Sequence, residues 1–141
     1  MAATVSYDDV EVGTELPAKT FPINRILLVQ YAGASGDFNP IHTQETFAKA
    51  VGLPDVIAHG MYTMAVAARV VTEWAGDPGA VVGYGTRFSK PVVVDSGEGA
   101  VIEVSGEVTE KLEDRKVEVT LTATSAGAAV LGNARLTVQL A

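Results

Sequence analysis

Residues 61–75 read MYTMAVAARVVTEWA, and their apolar or small side chains nearly encircle the axis of a helix. Such a helix must be covered on most of its sides by the rest of the chain. The apolar region around it, residues 56–75, is interrupted by His59, Arg69 and Glu73. These interruptions favour a buried helix from Met61 to Ala75 over a membrane span, and the following GDPG ends the helix.

The cover for this helix is predicted in the last third of the sequence, where the period of the apolar residues changes from 3.6 to 2. Apolar or small residues alternate with polar ones in three runs, at 102–109, 117–124 and 134–140. Two further strands are expected at 80–88 and around 19–23. Alternation of this kind is typical of an antiparallel sheet with one apolar face. The sequence therefore predicts a single α+β domain over residues 1–141, with a curved antiparallel sheet wrapped around a long central helix.

Two shorter helices are predicted ahead of the long one. Asn24 suits the N-cap of the first, and glycines at positions 33 and 36 supply its stop. For the second, Asn39 suits the cap and Pro40 the first helical position, so that the helix runs to about Val51.

Composition limits the classes of protein to consider. The chain has 141 residues, no cysteine and a formal charge of −7. Absence of cysteine excludes disulfides, thiolate metal sites and a cysteine nucleophile. The negative charge disfavours a nucleic-acid binder, and the first residues carry no pattern of a secretory signal. We therefore expect a cytoplasmic protein without membrane insertion.

The densest group of reactive side chains lies between Tyr31 and His42. If Asn39 caps a helix, Asp37 lies just outside that helix and His42 about one turn inside it, so that their side chains converge. A carboxylate and an imidazole can together hold and polarise a water molecule. The same residues also suit a turn, a cap and an ordinary polar position, and spacing alone leaves both interpretations open.

The stretch YAGASGDFNPIHTQETFA, residues 31–48, resembles the hydratase-2 motif of the MaoC-like hot-dog family. Two further blocks, IAHGM at 57–61 and RFSKPV at 87–92, are similar to that family and follow in its order. Within it the sequence resembles catalytic subunits of (3R)-hydroxyacyl-ACP dehydratases and (R)-specific enoyl-CoA hydratases. Two features depart from the pattern: Ala34 replaces a larger aliphatic residue, and the segment after Pro91 is longer than usual, which we expect to alter the rim of the site.

The resemblance implies a hot-dog fold and reversible hydration of a trans-2-enoyl thioester to the (3R)-3-hydroxyacyl thioester. Asp37 and His42 would be the catalytic pair that grips the water. The backbone N–H of Gly60, at the start of the long helix, would stabilise the negative charge on the thioester oxygen. No cofactor and no metal are expected for this chemistry.

Other residues of the three blocks receive secondary roles. Asn39, Ser35 and Thr63 are supporting candidates, each with a structural alternative as a cap, a turn residue or a first-turn helix residue. We expect His59 to orient the turn or cap the helix. The candidate substrate contacts are Arg87 and Lys90, for a phosphate of coenzyme A or phosphopantetheine, and Met61, for the acyl chain or the core.

Several alternatives stay open at this point. The enzyme is either the catalytic subunit of a dehydratase or a stand-alone (R)-specific enoyl-CoA hydratase, and a non-catalytic thioester-binding subunit is a third reading. The thioester carrier is coenzyme A or acyl carrier protein. Because a lone sheet around one helix leaves an exposed edge, we expect a homodimer or a heterodimer with a second hot-dog subunit.

Overall fold

The computed structural model describes residues 2–141. Its three α-helices are α1 (Arg25–Ser35), α2 (Glu45–Ala50) and α3 (Gly60–Ala75). Its six strands are β1 (Glu15–Ile23), β2 (Val81–Phe88), β3 (Ala100–Leu112), β4 (Lys116–Ser125), β5 (Ala128–Ala129) and β6 (Leu131–Gln139). Short 3₁₀ turns lie at Tyr7–Asp9, Pro40–His42 and Pro78–Ala80.

The strands form one antiparallel sheet in the order β1-β3-β4-β6-β2, with the two-residue β5 paired to β4. The register places apolar residues opposite one another on the inner face, for example Val104 opposite Ala123 and Val119 opposite Leu136. All four of these side chains are buried. The predicted strands and their apolar face are therefore confirmed, and β1 begins earlier than expected, at Glu15.

The long helix α3 packs against the inner face of this sheet. Its buried side chains are Thr63, Val66, Ala67, Val70, Val71 and Ala75. A narrow stripe at i, i+4 spacing stays exposed, and Arg69 and Glu73 form an ion pair of 2.9 Å on it. The predicted α+β fold, with a sheet that covers the long helix, is therefore confirmed. The exposed stripe is the one side of α3 that the rest of the described chain does not cover.

Helix α1 begins and ends as its sequence predicts. The Asn24 side chain accepts a hydrogen bond of 2.9 Å from the backbone N–H of Leu27. Gly36 closes the helix with φ of 77°, in the left-handed region that glycine adopts without strain. The chain therefore leaves α1 in a sharp turn directly before Asp37.

The prediction of one continuous helix from Pro40 to Val51 is wrong. The chain instead forms a 3₁₀ turn over Pro40–His42, then leaves helical geometry at Thr43 and Gln44 before α2 begins. The reason is that the Ile41 carbonyl accepts a hydrogen bond from the distant Ile57 N–H, at 3.2 Å, instead of from residue 45. The break leaves His42 buried, facing the start of α3.

Within residues 2–141, no helix has the length and apolar character that crossing a membrane requires.

Candidate active site

Two connections come together in the fold: the turn between α1 and α2, and the segment that leads into α3. The first carries Asp37 and His42, and the second carries His59 and Gly60. Backbone bonds join the two segments, because the Ile57 N–H donates to the Ile41 carbonyl. The two sequence blocks that carry these candidate residues therefore lie side by side in the fold.

The ring of His42 turns its Nε2 atom toward Asp37. Its Nδ1 lies 2.7 Å from the Ile57 carbonyl oxygen, which can only accept, so that Nδ1 carries the proton in the neutral ring. The Nε2 atom then holds a lone pair and lies 3.7 Å from Oδ2 of Asp37. Two atoms at that separation can both contact one water molecule at about 2.8 Å. The pair is arranged to share a water molecule.

The Asp37 carboxylate is open to solvent, with a side chain that is 51% exposed, whereas His42 is buried. The Oδ1 atom of Asp37 accepts a hydrogen bond of 3.1 Å from the Asn39 N–H, which leaves Oδ2 for the shared water. Asn39 in turn accepts from the Ile41 N–H at 3.2 Å, as its predicted capping role requires. Ser35 accepts from the Asp37 N–H at 3.2 Å and donates to the Tyr31 carbonyl at 2.7 Å. Both supporting candidates therefore shape the turn that carries Asp37.

A cavity of about 270 Å³ opens beside His42 and reaches the N-terminus of α3. Its lining includes buried side chains as well as exposed ones: His42, Ile57, Ala58, Gly60, Thr63, Phe88, Ser89, Lys90, Pro91, Val92 and Val130. The first N–H groups of a helix have no partner within the helix, and Gly60 is the first residue of α3. An anionic oxygen in this cavity is therefore favoured at Gly60.

Phe88 is a cavity residue that the sequence did not single out, although it stands inside the block at 87–92. Its ring lies against Gly60 so closely that a Cβ at Gly60 would be 2.7 Å from the Phe88 Cδ2 atom. Half of the Phe88 side chain is exposed. Glycine at position 60 therefore has a steric reason, because the Phe88 ring occupies the space that a side chain would need.

The other candidate residues separate into those near the cavity and those away from it. Thr63 is buried and lines the cavity, but its hydroxyl lies 3.5 Å from the His59 carbonyl rather than on Asp37. Lys90 lines the cavity, whereas Arg87 does not. Met61 is 56% exposed and is absent from the cavity lining. Within the long segment after Pro91, Val92 lines the cavity, whereas residues 95–99 are not part of its lining.

Arg87 and Lys90 share one electrostatic property. Within residues 2–141 they are the two basic side chains that form neither an ion pair nor a hydrogen bond. In a chain of net charge −7, two uncompensated cations close together in sequence are available to an anionic ligand.

His59 occupies the N-cap position of α3, but its side chain makes no capping hydrogen bond, contrary to the expected capping role. Its Nε2–H donates to the Asp37 carbonyl at 3.1 Å, and its ring stacks on that of His42 with centroids 3.8 Å apart and planes at 23°. Desolvation lowers the pKa of His59 below its usual value. The ring is therefore neutral near pH 7.

Asp37, His42 and His59 each offer a metal-binding atom, and these atoms lie within 4.8 Å of one another. The stacked rings nevertheless direct their in-plane lone pairs along nearly parallel planes. One ion at about 2.0–2.1 Å from both nitrogens would lie far out of each ring plane. In addition, one nitrogen of each ring is hydrogen-bonded to a backbone carbonyl and is thus occupied. This geometry suits a shared water molecule better than a shared cation.

Comparison with known proteins identifies the family. A model of the MaoC like domain matches residues 9–127, which is most of the chain. The chain belongs to the MaoC-like family. The predicted family membership is thereby confirmed, and the blocks at 31–48, 57–61 and 87–92 all lie within the matched range.

Three similar proteins illustrate how this MaoC-like chain relates to its family. It is 41% identical over 86 residues to 3-hydroxyacyl-thioester dehydratase X of Mycobacterium tuberculosis, covering 61% of this chain and 30% of that protein. It is 33% identical over 127 residues to the (R)-specific enoyl-CoA hydratase of Rhodospirillum rubrum, covering 89% and 85%. A solved MaoC-like dehydratase superposes with a TM-score of 0.96 at 45% identity, covering 99% of this chain and 43% of that chain. The MaoC-like chain thus spans less than half of two of these proteins and most of the third.

Proposed function

We propose that the chain is a hydro-lyase that interconverts trans-2-enoyl thioesters and (3R)-3-hydroxyacyl thioesters in fatty-acid metabolism. The observation that carries the proposal is the pair of free atoms, Asp37 Oδ2 and His42 Nε2, 3.7 Å apart beside a cavity that ends at the N-terminus of α3. The names of two relatives, a 3-hydroxyacyl-thioester dehydratase and an (R)-specific enoyl-CoA hydratase, support the same class of reaction.

In the hydration direction, a water molecule held by Asp37 and His42 attacks C3 of the enoyl group. The water loses one proton to the pair as the C–O bond forms, and one proton is delivered to C2 as the double bond is lost. The pair therefore ends with the number of protons with which it began, and dehydration is the same sequence in reverse. The neutral Nε2 of His42 is the acceptor that the backbone bond at Nδ1 makes available.

Negative charge develops on the thioester oxygen during the attack, and the Gly60 N–H is our candidate donor to it. Gly60 begins a helix of 16 residues, so that the helix dipole adds to the hydrogen bond. One such donor contributes about 3 kcal/mol to the stabilisation of the transition state.

The proposed substrate carries an anionic thioester carrier. Lys90 at the cavity and Arg87 near the end of β2 are free to contact a phosphate of coenzyme A or phosphopantetheine. For Arg87 the contact would lie beyond the cavity itself, and we assign Met61 no acyl contact because it lies away from the lining. We infer a carrier of either kind and no cofactor.

We also propose that the chain works as a dimer, with itself or with a second hot-dog subunit. Strand β2 lies at one edge of the sheet, and its exposed residues include Val82, at 57%. Pairing along that edge would cover apolar surface and the open backbone groups together. The single-domain organisation over residues 1–141 and the cytoplasmic location expected from the sequence stay predictions.

The decisive experiment is hydration of crotonyl-CoA by the purified chain, compared with the Asp37→Asn variant. Asn keeps the shape of the side chain but removes the negative charge, so we expect the rate to fall by about 10²–10⁴-fold with an unchanged melting temperature. Asp9→Asn, which changes another exposed carboxylate outside the site, is the matched control and should keep the wild-type rate.

The same assay separates the alternatives. Robust turnover by the isolated chain supports a stand-alone (R)-specific hydratase, whereas turnover only after addition of a second subunit supports the dehydratase subunit. Binding of the thioester without turnover, with or without a second subunit, supports the non-catalytic thioester-binding subunit. A wild-type rate in Asp37→Asn would show that the assignment of the catalytic pair is wrong.

A further inference from the structure

His59 is a buried titratable side chain that the proposed reaction does not use as an acid or a base. It is 2% exposed, and its Nδ1 atom has neither a hydrogen-bond partner nor contact with solvent. Its other nitrogen is occupied by the Asp37 carbonyl. A ring with no free nitrogen toward the cavity cannot pass a proton to a substrate, so we explain its contacts within this site by geometry.

The first contact holds the turn that carries Asp37. Residues 33–39 are all exposed, and Asp37 therefore has little packing to fix its position. Among the described residues 2–141, all but one of the hydrogen bonds made by residues 36–39 have partners within residues 32–42. That exception is the bond from His59 Nε2 to the Asp37 carbonyl. His59 is thus the single hydrogen-bonded anchor between this turn and α3.

The second contact holds the ring of His42. Its Nδ1 bond to Ile57 fixes one point of the ring but leaves rotation about that point open. Stacking on His59, with centroids 3.8 Å apart, supplies a flat surface that restricts this rotation. The His59 ring is itself held by an edge contact from Tyr31, with centroids 4.8 Å apart. One side chain therefore touches both members of the catalytic pair.

We propose that His59 is a positioning residue that sets the separation of Asp37 Oδ2 and His42 Nε2, through a hydrogen bond to one and a stacking contact with the other. This inference rests on the function proposed above. It predicts that either contact alone keeps part of the geometry and that loss of both releases the pair.

Two substitutions separate the two contacts. The Gln side chain of His59→Gln can still donate to the Asp37 carbonyl but offers no ring, and His59→Phe offers a ring but no donor. We expect each to lower kcat by about tenfold with little change in KM, and His59→Ala, which lacks both, to lower kcat by about 100-fold, as expected for a misplacement near 1 Å.

Proton NMR gives a readout that is independent of turnover. The chain contains only two histidines, so in each variant the remaining imidazole resonance belongs to His42. An aromatic neighbour stacked on its face shifts that resonance upfield. We expect the upfield position to persist in His59→Phe and to be lost in His59→Gln and His59→Ala.

The control is Tyr84→Phe, which removes a hydrogen bond from a side chain to the Met64 carbonyl of α3 at a residue outside the cavity lining. It should keep the wild-type kcat. The inference is overturned if His59→Gln and His59→Phe both keep the wild-type kcat. It is also overturned if kcat falls only in proportion to a loss of folded protein, measured by thermal denaturation, or if His42 resonates at one position in all variants.

Failure of the proposed function has a different signature. In that case the wild-type protein does not hydrate the thioester, while the NMR shifts still report whether His59 fixes the ring of His42.

Discussion

Gly60→Ala tests the proposed oxyanion site through one methyl group. In the wild-type structure the added Cβ would lie 2.7, 2.8 and 3.0 Å from three atoms of the Phe88 ring. Carbon atoms in contact prefer about 3.5–4.0 Å, so the ring must move by about 1 Å. The methyl group would also stand beside the N–H that we assign to the thioester oxygen.

The effect on stability should be small. Half of the Phe88 side chain is exposed, so the ring can rotate outward without creating a buried cavity. Replacing glycine with alanine in a helix also contributes up to about 1 kcal/mol of stability. The two effects oppose each other, and we expect the free energy of unfolding to change by less than about 1 kcal/mol.

The effect on activity should be large. If the methyl group keeps the thioester oxygen from the Gly60 N–H, the loss corresponds to removal of one oxyanion donor, about 10²–10³-fold in kcat. The assay is hydration of crotonyl-CoA, with urea denaturation of the same preparation.

Two further variants make the result interpretable. Gly33→Ala is the matched control, because a Cβ there meets nothing within 4 Å; it should keep the wild-type rate. In the double variant Gly60→Ala/Phe88→Ala the steric conflict with the ring is gone, and activity should stay low because the methyl group remains. Recovery of the wild-type rate in that double variant would refute the assignment of the Gly60 donor. It would show that displacement of the Phe88 ring causes the loss of activity in Gly60→Ala.

Three other predictions concern charged groups. Arg25→Met removes hydrogen bonds to the Val94 carbonyl and to carboxylates of α2 and the following loop, so the free energy of unfolding, measured with urea, should fall by about 2 kcal/mol. Lys49→Met, at an exposed pair, should lower it by less than about 1 kcal/mol, and equal losses would contradict the structural role of Arg25. Lys90→Gln should raise KM for crotonyl-CoA by several-fold and leave the KM of the phosphate-free N-acetylcysteamine thioester unchanged, with Lys116→Gln as control; a parallel rise for both thioesters would exclude a phosphate contact. The pKa of His59 is lowered by burial, so the unfolded chain binds a proton first as the pH falls below about 6.5; the melting temperature should therefore drop more between pH 7.5 and 5.5 in the wild type than in His59→Gln, and parallel curves would contradict a buried neutral ring.

The sheet and the long helix could be predicted because local sequence determines them. Along β3 and β4 every second residue enters the core, as Val104 and Val119 do, and this alternation is visible without knowledge of any partner strand. The cap at Asn24 and the stop at Gly36 are equally local.

Features that depend on distant contacts could not be predicted in this way. Helix α2 starts late because Ile57 takes the carbonyl of Ile41, 16 positions earlier in the chain. The place of His59 depends on a carbonyl 22 residues away, and Phe88 reaches Gly60 only after β2 has paired with β6. The candidate residues were visible in the sequence, whereas their mutual geometry required the fold.

The two backbone bonds at Ile57 have a consequence for how the substrate range of this site can change. The N–H of Ile57 holds the Ile41 carbonyl, and its own carbonyl holds Nδ1 of His42. Ile57 is also one of the residues that line the cavity. Main-chain atoms thus hold the proposed base, and any residue except proline preserves this N–H and this carbonyl. Position 57 is accordingly a place where natural variation or protein engineering can change the cavity wall and retain the geometry of the proposed pair.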